Sequence, residues 1–137
     1  MRKLIPISYT LASINLATLI LRIGFGILMI PHGYKKLANF DEYKAKFIDF
    51  LGLGSTVSLS LAIFAEFFCS ILLVLGLFTR LATIPLIITT MVIIFMAHGG
   101  EIFGQAEAGA HYFIAYLAIL IIGPGDYSID SVLNKKL

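Results

Sequence analysis

The chain has 137 residues, 59% of them hydrophobic and 13% charged, with a mean hydropathy of +0.97. Soluble domains carry about 25% charged residues, so this composition excludes an ordinary soluble fold. It leaves an all-α integral membrane protein with room for four spans of about 20 residues each and no separate soluble domain. The net charge of +2 arises from basic and acidic residues scattered around the apolar runs, which gives no nucleic-acid footprint. A single cysteine, Cys69, excludes an intrachain disulfide, a CxxC pair and a cysteine-held metal or iron–sulfur site within this chain alone.

Residues 1–17 combine basic and apolar character like a signal peptide, but they run on into a longer apolar stretch without a small-residue cleavage site. They are therefore expected to belong to an uncleaved first span. That span is placed at about residues 15–34, or from Ser8 if the helix is tilted, with Pro31 bending its last turn. Arg22, Gly26, Met29, Gly33 and Lys36 recur at helical spacing and share one face, and the glycines mark that face for close helix packing. A guanidinium in the hydrocarbon region costs roughly 2.5 to 3.5 kcal/mol on insertion scales, so Arg22 calls for a partner inside the protein.

The loop after Lys35 mixes charges with Phe40, Tyr43, Phe47 and Phe50, the pattern of a short amphipathic helix in the membrane interface. A glycine-rich segment then leads into the second span, residues 56–77, which carries Glu66 near its middle. Antiparallel packing of the first two spans is expected to bring Glu66 and Arg22 to similar depths, making Glu66 the expected partner of Arg22. Such a pair either fixes helix order or forms the floor of a pocket. Cys69 is expected to serve packing.

The third span, residues 81–97, offers Pro85 and several threonines but no reactive group. The fourth, residues 107–123, places His111 four residues after Glu107 and pairs Tyr112 with Tyr116 on a neighbouring face. A glycine and proline stop at Gly123 and Pro124 opens a short tail in which Asp126 and Asp130 flank Tyr127 and Ser128.

Alternating helix direction brings His32, Lys36, His98, Glu107 and His111 to one membrane face, with both termini at the other. The terminal side carries Arg2, Lys3, Arg80, Lys135 and Lys136 against four lysines opposite, so the positive-inside rule favours cytoplasmic termini by one basic residue. Imidazoles and carboxylates gathered at one mouth suit proton transfer or metal binding, and the alternatives are histidines that are only interfacial or structural, a small-molecule site with proton relay, and a metal or haem site. HxxxH and HExxH are both absent, and no metal site is expected.

The chain resembles the DoxX family of small four-helix bacterial membrane proteins. The residues that carry the resemblance are Arg22, Gly26, His32-Gly33 and Lys36 in the first span and Ala65-Glu66 in the second. They continue with Leu75-Gly76-Leu77-Phe78-Thr79-Arg80, His98-Gly99, and Gly123-Pro124-Gly125-Asp126-Tyr127-Ser128-Ile129-Asp130. The resemblance implies a four-helix bundle with antiparallel neighbours in the bacterial inner membrane. It also implies association with respiratory, sulfur-compound or oxidative-stress redox systems.

Joined to the residue pattern, it leads to the expectation of a redox-associated subunit that binds a quinone or similar amphipathic molecule. Arg22, His32, Lys36, Glu66, His98, Glu107, His111 and Tyr116 form the expected ligand-binding or proton-relay set. Gly26, Gly33, Gly76, Arg80, Tyr127 and Asp130 form the structural motif. Expected partners are the lipid bilayer, a soluble or membrane redox protein, and a second copy of the chain. The alternative is a non-enzymatic membrane anchor or assembly subunit for a soluble redox partner.

Overall fold

The computed structural model describes Leu4 and residues 6–137; Arg2 and Lys3, counted in the charge balance, lie outside the described residues. Among the described residues the chain forms six helices: α1 (Leu11–Ala38), α2 (Phe40–Lys44), α3 (Ser55–Leu75), α4 (Thr79–Ala97), α5 (Glu107–Ile122) and α6 (Ile129–Lys136). The helices α1, α3 and α4 are long and apolar enough to cross a membrane, and α5 is a shorter apolar helix. The fold is thus not a plain set of four helices: α2 stands in the place of the expected short amphipathic helix, and α6 in the tail is unexpected.

A capping box starts α1: the Thr10 hydroxyl accepts a bond from the Ser13 N–H and the Ser13 hydroxyl accepts one from the Thr10 N–H. This places the helix start at Leu11, between the two expected starts at Ser8 and Asn15, because Thr10 and Ser13 satisfy the first free amides. The helix then runs for 28 residues, about 42 Å at 1.5 Å per residue. It passes through Pro31 and continues to Ala38, so the proline is not in the last turn. Lys35 and Lys36 occupy that last turn, where the helix dipole favours positive charge.

Two of the long helices are not α-helical throughout. The Phe64–Cys69 segment of α3 and the Ile93–Ala97 segment of α4 are π-helical. A π turn widens the helix by one residue and redirects the side chains that follow, a device common at functional sites.

The contact between α1 and α3 has a definite register. Gly33 lies against the backbone of Glu66 and Phe67, where a Cβ would come within 2.5 Å of the Phe67 nitrogen. Gly26 faces Ser70 and Val74, and Gly76 faces the guanidinium of Arg22. Each step up α1 is therefore a step down α3. Arg22 is opposite the end of α3 and not its middle, and roughly ten residues of helix, about 16 Å of rise, separate it from the level of Glu66. The expected Arg22–Glu66 pair does not form. Arg22 and Glu66 both lie near the middle of their helices, but the glycine contacts set α1 off-centre along α3, so that Gly33 and not Arg22 is opposite Glu66.

The tail supplies what Arg22 lacks. Gly76 ends α3 in a left-handed turn, closed by a bond from the Leu77 N–H to the Leu72 carbonyl. Across this turn, Arg22 donates to the Tyr127 carbonyl and feels the charge of Asp130. Asp130 in turn accepts bonds from the N–H groups of Phe78 (2.8 Å) and Thr79 (2.9 Å), capping α4 from a distant part of the chain. Its own N–H donates to the Gly76 carbonyl. Asn15 and Asp126 exchange two further bonds, which tie the tail to the start of α1. The core between these ends is apolar, built on Met29, Leu73, Leu86, Tyr116 and Ile119, and Cys69 is packed within it.

Thermal unfolding in lipid nanodiscs checks this register. Gly33→Ala is expected to lower stability by about 1 to 3 kcal/mol through overpacking. Gly24→Ala, where a Cβ meets open space, is expected to be neutral or to stabilise by up to about 1 kcal/mol. In the same assay Asp130→Ala, which uncaps α4, is expected to cost about 0.5 to 2 kcal/mol.

Candidate ligand-binding cavity

A cavity of about 600 Å³ lies between α1, α3, α4 and α5 at the end of the bundle away from the termini. Its size falls in the range of small-molecule sites, about 300 to 1,000 Å³. Most of the wall is apolar, and the polar side chains that reach it include His32, Lys36, Glu66 and His98. Both π segments contribute to the wall through residues such as Glu66 and Ile93.

The central polar feature is an ion pair. The Lys36 ammonium lies 2.7 Å from one Glu66 carboxylate oxygen and 2.9 Å from the other. The side chains are 17% and 2% exposed respectively, so the carboxylate is withdrawn from solvent and the ammonium is its counter-charge. The α1–α3 register produces this pair: Gly33 lets the helices close at the level of Glu66, and Lys36 follows less than one turn later. A buried pair adds little net stability against an apolar replacement, but losing one partner strands a charge.

Aromatic groups extend from the pair into the core. The His32 and Tyr112 rings meet edge to face with centroids 6.1 Å apart, and Tyr112 lies 5.9 Å from Tyr116. Tyr112 lines the cavity, whereas Tyr116 is fully buried behind it. Together the ammonium, imidazoles and phenol of the wall provide hydrogen-bond donors, and Glu66 provides an acceptor. The set is able to hold a polar head group in an apolar enclosure and to pass protons to it.

The expected site residues divide into three groups. His32, Lys36, Glu66 and His98 share the cavity. Tyr116 stands behind it, in contact through Tyr112. Glu107 and His111 meet each other at 3.8 Å on the exposed surface, with side chains 63% and 64% exposed, and do not line the cavity. Arg22 belongs to the opposite end, among the tail contacts. Gly26, Gly33 and Gly76 are packing positions, Arg80 covers Gly123 and donates to the Ile121 carbonyl, Tyr127 acts through its backbone carbonyl, and Asp130 is the cap. Among the described residues no three His, Cys, Asp or Glu side chains gather as metal ligands would.

Several wall residues escaped the sequence reading. Tyr112 had the right spacing from Tyr116 but no charge to single it out. The loop between α1 and α3 holds only the short helix α2, and beyond it Phe47, Ile48 and Phe50 form part of the cavity wall. Ser58 accepts a bond from the Phe50 N–H, and Asp49 accepts one from the Gly54 N–H, which hold the loop in place. The alternation of aromatics with charges, read as an interfacial helix, was the available signal.

The DoxX family model matches residues 17–99. The chain belongs to the DoxX family. The matched region contains Lys36, Glu66, His32 and His98, together with the loop that closes over them, and ends before α5 and the tail. No curated protein and no solved structure gave a match. Family membership and the three long apolar helices together make this DoxX protein a multi-pass membrane protein.

Stability measurements on variants separate the cavity from its surroundings. Lys36→Met, which strands Glu66, is expected to cost about 3 to 5 kcal/mol. His111→Ala and Glu107→Ala, on the exposed surface, are each expected to change stability by less than about 0.5 kcal/mol.

Proposed function

We propose that this DoxX protein is a redox-associated subunit of the bacterial inner membrane that binds a quinone or comparable amphipathic molecule in the cavity. In this reading α5 is the fourth span, completing a four-helix bundle with cytoplasmic termini. The observation that carries the proposal is a charged Lys36–Glu66 pair set into an otherwise apolar cavity beside His32 and His98. An ion pair whose only task was helix register would not need a ligand-sized space next to it.

The Lys36 ammonium and the imidazoles of His32 and His98 suit the carbonyl oxygens of a quinone ring. Glu66 and the imidazoles are groups that take up and release protons as such a ring is reduced or oxidised. The electrons come from a partner redox protein. Family membership supports a redox-linked membrane role, and the cavity supports a small molecule as the means.

Calorimetric titration of the nanodisc-embedded protein with a decyl-substituted benzoquinone tests the reading. Saturable binding is expected, weakened about tenfold or more by Glu66→Gln and by His32→Ala, a loss of at least about 1.4 kcal/mol. No saturable binding, with a soluble redox protein copurifying instead, removes the quinone reading and favours the membrane-anchor role.

A further inference from the structure

The cavity does not sit at a closed centre of the bundle. Along α3 the exposed residues Val57, Leu61, Phe64, Phe68 and Leu75 form one outward stripe, and along α4 Leu81, Ile84, Ile88, Met91 and Phe95 form another. These apolar stripes are the surfaces the two helices turn to lipid. Leu61, Phe64 and Ile88 belong to the stripes, at 47%, 50% and 47% exposure, and also line the cavity. A residue that does both lies at an edge where the cavity meets the outside.

The packing pattern explains the opening. The π segment of α3 and the Ser70–Leu75 turns below it pack against the Thr79–Val92 part of α4. Above the π segment, Ser55–Ile63 makes its main contacts with α1 and α2, and the π segment Ile93–Ala97 makes its main contacts outside its own helix with α5. The two helices thus fork at the level of Glu66, each carrying a π segment at or above the fork. On the side facing the loops, by contrast, Phe47, Ile48 and Phe50 cover the cavity, pinned by the Ser58 and Asp49 hydrogen bonds.

We infer that the fork between α3 and α4 is a lateral portal, through which the cavity takes its ligand from the hydrocarbon phase of the bilayer. The ligand is an amphiphile dissolved in lipid. Its polar head lies against Lys36 and Glu66, and its apolar chain passes out between Leu61 and Phe64 on one side and Ile88 on the other. This rests on the proposed ligand-binding role of the cavity and adds the route and the chain to it. The polar groups recognise the head, while the portal admits molecules with a hydrocarbon chain and needs no opening to water.

The chain contains no tryptophan, so one introduced residue reports from one place. Tyr112→Trp and Thr89→Trp put the probe on the cavity wall, Phe64→Trp puts it on the lipid-facing stripe, and Tyr116→Trp puts it behind the wall. Each is placed in nanodiscs of phospholipids brominated on their acyl chains, which quench on contact. The portal predicts a loss of emission for Tyr112→Trp and Thr89→Trp close to that of Phe64→Trp and well above that of Tyr116→Trp. Two wall positions guard against one substitution disturbing the fold. Wall probes quenched no more than Tyr116→Trp overturn the portal, even if the decyl-substituted benzoquinone binds, because the ligand then enters from the loop end. Quenched wall probes without benzoquinone binding keep the portal and reject the quinone as occupant.

Discussion

The close contact of α1 with α3 is the constraint on which the remaining structure depends. Gly33 and Gly26 let the two backbones approach until a single added carbon would collide, and Gly76, just past the end of α3, leaves space for the Arg22 guanidinium. Close approach fixes the sliding position of one helix on the other, because a glycine moved by one turn would be replaced at the contact by a larger residue. With the register fixed, the charges have no freedom in choosing partners. Glu66 meets Lys36 at the cavity, and Arg22 meets the tail.

Two polar centres at opposite ends of one bundle follow from this arrangement, and they differ in kind. At the terminal end one guanidinium nitrogen of Arg22 bonds to the tail backbone while the other two are buried without a partner, Asp130 caps backbone groups, Asn15 and Asp126 bond to each other, and Gly76 leaves no room beside the guanidinium. That centre is a clasp: it orders the tail, caps α4 and closes the bundle. At the other end the Lys36–Glu66 pair borders an open volume. Polar groups that face space within a lipid environment are costly unless they serve a ligand or a pathway, and the proposed function rests on this difference.

Much of the architecture was legible in the sequence because it depends on local pattern. Apolar runs of membrane length announced the long helices, and helical spacing put Arg22, Gly26, Met29, Gly33 and Lys36 on one face of α1. Five of these are buried or nearly so against α3 and the core. The partner of Arg22 was not legible, because equal depth assumes two helices centred on each other. The contacts of Gly26 and Gly33 instead slide α1 along α3, which brings Lys36 to Glu66 and Arg22 to the tail. His111 was misplaced for a related reason. Membership of one membrane face does not say which way a side chain points around its helix, and His111 points outward while Tyr112, the next residue, points in. The π segments left no pattern to read in the sequence.

Double-mutant cycles in nanodiscs test the register and its two charge centres most directly. Lys36→Met, Arg22→Met and Glu66→Gln are measured singly and in the two pairs that include Glu66. Strong non-additivity is expected for Lys36 with Glu66, and additivity within about 0.5 kcal/mol for Arg22 with Glu66, which share no contact. Coupling of Glu66 to Arg22 with none to Lys36 would contradict the register.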